Sequence, residues 1–159
     1  MDSLVEIYIE RGNNEILAAE SLKKLSEEIK AKEDFHIPKI TTFYSSVISH
    51  SYYAIFYAAK AILLTKGIKT VSPQIHKNTY EAFKKNFVRT GVLDVKLLNI
   101  YKEAVVRASD LLEIFKDEKW KRGNFTYQVI PQANKTPAED SLENAKLFVA
   151  NITKVIKST

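Results

Sequence analysis

Between Phe43 and Lys66 the chain reads FYSSVISHSYYAIFYAAKAILLTK, a run with no glycine, no proline and no acidic residue, charged only at Lys60 and Lys66. Phe43, Val47, Ile48, Tyr52, Ile55, Phe56, Ala59, Ile62 and Leu63 fall at helical spacing. Tyr44, Tyr53, Tyr57, Ala58 and Ala61 occupy the other side, so the rod is apolar nearly all round. Such a helix is covered on most faces by other helices or by another subunit. Ser45, Ser46, Ser49, His50, Ser51 and Lys60 interrupt it well short of the roughly 20 apolar residues a bilayer requires. The expected structure is therefore an all-α protein with this segment at its centre and no membrane span.

The remaining punctuation agrees. With 159 residues and 45% hydrophobic content, the chain can bury a sizeable core, and we expect a single domain over 1–159. Four glycines and four prolines favour a few long helices over many short strands. Ser3 and Glu6 have capping-box spacing for a helix over 3–31, with a weak point at Gly12. Pro38 suits the first turn of the central helix, and Gly67 its left-handed end. Ser72 and Pro73 read as cap and first-turn proline of a helix carrying Ile75, Tyr80, Phe83 and Phe87, closed by Thr90 and Gly91. Asp94 caps a helix reaching Lys121, about 42 Å long at 1.5 Å per residue. Residues 122–135 do not read as helix, and Thr136-Pro137 opens the last one. The sum is an up-and-down bundle of four to five helices.

Several classes of chemistry find no support in the residues. No cysteine is present, so there is neither a disulfide framework nor a thiolate metal site, which fits a reducing, cytoplasmic setting. The opening MDSLVEIYIERGNNE has neither the basic region nor the apolar core of a signal peptide. Phosphate-loop, helical metal-pair and nucleophile-elbow patterns are missing, so no cofactor, metal site or catalytic residue is assigned from pattern alone. The net charge of +5 is a modest basic bias, compatible with an acidic partner. His50 on the central helix reads as a packed, hydrogen-bonded group, and His76 as a first-turn residue touching solvent or the preceding loop.

Two groups of side chains fit RNA or nucleotide. Lys119, Lys121 and Arg122 interleave with Trp120, Phe125 and Tyr127 around Asn124; such a mixture either holds a phosphate chain and stacks its bases, or is a helix C-terminus whose cations complement its negative dipole end with Trp120 folded onto the bundle. Tyr53 and Tyr57, one turn apart, form either a stacking platform or a packing stripe. Lys84, Lys85 and Arg89 form a weaker patch that reads as a solvated face.

VISHSYYAIFYAAKAILLTKG, QIHKNTYEAF, FVRTGVLD, RGNFTY and AEDSLENAKLFVANI together resemble the HEPN family, in its small prokaryotic branch with a Tyr-Tyr-Ala-x-Phe central helix, here Tyr52 to Phe56. The resemblance implies a helical bundle that forms a two-fold homodimer. It also implies a toxin–antitoxin setting with a minimal nucleotidyltransferase partner, and either RNA or nucleotide binding or metal-independent ribonuclease activity. Active members carry arginine, four to six residues, then histidine; no arginine here has a histidine at that distance, and Arg122 is followed five residues on by Tyr127. A tyrosine with a pKa near 10 is a poor general base at pH 7.

Overall fold

A computed structural model of the protein describes residues 2–112 and 135–159. Among the described residues all regular structure is helical: α1 (Ser3–Glu27), α2 (Ile29–Asp34), α3 (Tyr44–Leu64), α4 (Ile75–Phe83), α5 (Val95–Leu112) and α6 (Lys135–Lys157), with α4 continuing as a π-helical turn, Lys84–Val88. Helix α3 touches α1, α4, α5 and α6, so the bundle is assembled around it. Val47, Ile48, Tyr52, Ile55, Ala59, Ile62 and Leu63 are all buried. Burying one such large apolar side chain contributes roughly 1.5–3 kcal/mol. By length and composition alone α3 could cross a bilayer, but 67% of its apolar window is buried inside the bundle.

Local chemistry moved several boundaries from where the sequence put them. The first cap is Asp2, whose carboxylate accepts from the Leu4 amide at 2.9 Å, so Ser3 is already inside the helix. The expected helix over 3–31 is divided at Glu28, which is extended (φ −95°, ψ 120°), and not at Gly12. The division is tertiary in origin. Ser26 Oγ donates to the Leu22 carbonyl and accepts the Phe43 amide, each at 2.7 Å, tying the end of α1 to the start of α3. The buried Lys32 donates to the Lys39 carbonyl at 2.5 Å, and short α2 turns aside to let it.

Gly12 is buried and continues the helix. A Cβ there would stand 3.3 Å from the Ala54 carbonyl oxygen, so the missing side chain is what allows α1 and α3 to lie this close. Pro38 belongs to a turn, its carbonyl accepting from the Thr41 amide at 3.0 Å, and α3 begins later, at Tyr44. Gly67, at φ 70°, closes α3 as expected, with the Ile68 amide bonded to the Leu63 carbonyl at 3.0 Å. Ser72 and Pro73 do not cap α4: they are joined by a cis peptide, and the helix starts at Ile75 after left-handed Gln74. Asp94 does cap α5, accepting from the Lys96 amide at 2.8 Å. Thr136 lies one residue inside α6 rather than before it.

Candidate nucleic-acid interface

Antiparallel packing of α1 on α3 lines up one edge of each helix. Tyr8 of α1 stacks on Tyr57 of α3, with ring centroids 6.0 Å apart and planes 21° from parallel. One turn along α1, the Arg11 guanidinium carbon lies 5.7 Å from both ring centroids. One turn along α3, Lys60 Nζ lies 5.2 Å from the Tyr8 ring and 5.7 Å from the Phe56 ring. The two cations thus share the Tyr8 ring, an attraction of about 0.5–1 kcal/mol each at partly exposed sites. Neither forms an ion pair with a carboxylate among the described residues, which leaves their charge available to an anion.

Tyr53 continues the edge, 6.2 Å from Tyr57. Both rings are half-buried. Burial, with smaller contributions from Tyr57 and Glu15, pushes the Tyr53 phenol above its ordinary range, so it keeps its proton at pH 7. His50 closes the far end, its Nδ1 2.5 Å from the Glu15 carboxylate, in agreement with the hydrogen-bonded role read from sequence.

His76 is half-buried, keeping part of the solvent contact expected of it, and its ring sits in a cage of Tyr52, Tyr53 and Phe56 that the sequence did not show, with ring centroids 5.7, 5.9 and 4.5 Å away. The hydroxyl of fully buried Tyr52 is 2.8 Å from His76 Nδ1. Burial, reinforced by Lys60, lowers the His76 pKa to about 4, so the ring is neutral at pH 7. Behind it lie Tyr101 and Tyr80, their rings 5.2 Å apart and edge to face. Among the described residues the buried Tyr101 hydroxyl has no hydrogen-bond partner, and burial raises its pKa far above the ordinary value.

Of the side chains singled out in the sequence, Tyr53 and Tyr57 are brought together on this edge. Lys119, Lys121, Arg122, Asn124 and Tyr127 lie outside the described residues. Tyr8, Arg11 and Lys60 were not anticipated. Their only sequence signal is the three-residue spacing of Tyr8 and Arg11, which matters once α3 is known to run beside them. Among the described residues no group of three acidic or histidine side chains could hold a metal ion.

The HEPN domain family matches residues 29–155. Two proteins of Methanocaldococcus jannaschii named "Putative toxin" are similar: one 35% identical over 52% of this chain and 52% of its own length, the other 29% identical over 85% and 93%. A "UPF0332 protein" of Thermotoga maritima is 38% identical over 35% of this chain and 40% of its own length. The chain thus spans about half of the first relative and most of the second. No solved structure matches. With four-fifths of its length inside the family match and α3 as the hub of a helical bundle, the chain belongs to the HEPN domain family.

Proposed function

We propose that this chain is the HEPN half of a toxin–antitoxin-type pair. In this reading residues 1–159 form one domain that associates as a homodimer, meets a minimal nucleotidyltransferase as partner, and binds RNA or nucleotide. Family membership and the two toxin-named relatives support the setting. The observation that carries the ligand class is the Tyr53–Tyr57–Tyr8 edge, with Arg11 and Lys60 lying over its rings and unpaired with any carboxylate among the described residues. Bases stack on such rings for roughly 1–3 kcal/mol each, and cations hold the phosphates between them. Arg122, Lys119, Lys121, Asn124 and Tyr127 supply further phosphate and base contacts in the same reading. Anisotropy of a fluorescein-labelled single-stranded RNA, titrated at several KCl concentrations, tests it. Wild-type protein binds with an affinity that falls with salt, and Arg122→Ala and Tyr57→Leu each weaken it about tenfold. A folded protein with no affinity at low salt overturns the ligand class.

Metal-independent endoribonuclease activity is the second reading, and one observation favours it. His76 is neutral at pH 7 and held through Nδ1 by Tyr52, so it is deprotonated and oriented as a base must be, and its pKa of about 4 makes it a weak one. Cleavage of RNA in the presence of a chelator, abolished by His76→Ala, is the expected result; bound but intact RNA sinks this reading.

A further inference from the structure

Beyond Lys60, the stacked edge runs into a groove of about 390 Å³ between α1, the end of α3 and the loop that leads to α4. Cavities of roughly this size hold small ligands when apolar walls carry a few fixed polar groups. Leu4, Leu64 and Val71 provide apolar wall, Tyr8 provides a ring face, and Lys60 and Lys69 provide charge; no lining residue is acidic. Lys69 forms no ion pair among the described residues.

The loop wall is held in place. The Thr70 carbonyl accepts from Lys60 Nζ at 3.1 Å. Thr79 Oγ1 donates its single proton to the Ile75 carbonyl at 2.7 Å, so at 2.6 Å the Thr70 hydroxyl must be the donor to Thr79. Asn78 Nδ2 donates to the Pro73 carbonyl at 3.2 Å. A wall fixed before a ligand arrives spares the ordering cost of binding.

We infer that this groove is a preformed subsite for one nucleotide unit, its base against Tyr8 and the apolar wall and its phosphate beside Lys60 and Lys69. Charge and shape select the occupant together: two cations without carboxylate partners among the described residues, Lys60 and Lys69, line an aromatic face and an apolar slot, and a flat ring bearing a phosphate satisfies both. The subsite rests on the reading that the chain binds RNA or nucleotide, and it adds a place on α1 that precedes the family match at residue 29. The same chemistry comes from a residue within an RNA strand or from a free mononucleotide.

The test uses the full chain and two probes in separate arms, a fluorescein-labelled single-stranded RNA and AMP. The variants are Tyr8→Leu and Lys69→Glu, neither of which removes a hydrogen bond seen among the described residues. We expect each to weaken binding about tenfold, and 4-thiouridine RNA to cross-link to the segment carrying Tyr8. A loss confined to RNA assigns the groove to a strand; an equal loss for AMP assigns it to the free nucleotide. Unchanged binding of both probes by both variants, with Tyr57→Leu still impaired, overturns the groove and leaves the broader reading standing. If wild-type protein binds neither probe, both fall.

Discussion

The Tyr52 hydroxyl meets His76 Nδ1 at 2.8 Å, and this contact joins the buried side of the central helix to the first turn of α4. It is the point where core packing and the candidate site share an atom. Tyr52→Phe keeps the ring and removes the bond. We expect a loss of about 1–1.5 kcal/mol in urea unfolding, because the imidazole is left half-buried with one partner fewer. An unchanged midpoint would show that the hydroxyl contributes nothing to holding α4.

His76 also makes stability depend on pH, with a definite sign. Its folded pKa is about 4 against 6.5 for the free side chain. Between those values the unfolded chain binds the proton more readily, so stability is complete above about pH 6.5 and falls as pH drops towards 4. A full shift of this size sets a ceiling of about 3 kcal/mol. The ring is only half-buried, so solvent screening reduces the effect to ~1 kcal/mol. Thermal melts at pH 7.5 and 4.5 should separate more for wild-type protein than for His76→Gln; equal separations would remove His76 as the cause.

Gly12 gives a size-dependent test of the α1–α3 contact. A single added methyl meets the Ala54 carbonyl at 3.3 Å, while alanine gains about 1 kcal/mol of helix propensity over glycine. The two effects nearly cancel, and Gly12→Ala should fall within about 1 kcal/mol of wild type. Gly12→Val adds branches that helix backbone cannot accommodate, and should cost about 2–3 kcal/mol. Equal stabilities of the two variants, read by chemical denaturation, would mean that the helices simply slide apart.

Arg107 of α5 is buried, and its guanidinium reaches Glu103 at 2.5 Å and Asp140 of α6 at 3.8 Å. Arg107→Ala removes the pairing and the packed stem together and should cost about 3 kcal/mol, whereas Arg107→Met retains the stem and should cost less. Exposed Asp140, changed to Asn, should cost under about 1 kcal/mol. Equal losses for Ala and Met would put the whole effect in the charge.

The central helix was legible because its cause is local. Twenty-odd residues without a breaker, apolar on nearly every side, leave no other solution, and Gly67 and Asp94 marked neighbouring ends through their own backbone and side-chain chemistry. What was misread depends on partners far along the chain. The break at Glu28 follows from Ser26 receiving the Phe43 amide, 17 residues on. At the first cap, Asp2 and Ser3 are adjacent and both competent, and sequence does not rank them. The candidate site divides in the same way: the Tyr53–Tyr57 pair is visible as helical spacing, but Arg11, Tyr8 and Lys60 acquire meaning only when two helices lie side by side.

The burial of α3 has a consequence for how the molecule is made. During synthesis α1 emerges before the rod, so a hairpin of the two can close as soon as the rod is out. Phe148 and Leu142 of α6, which pack on the remaining flank, arrive almost a hundred residues later. Until then that flank of the rod has no cover from its own chain, and the last helix is the latch that closes it.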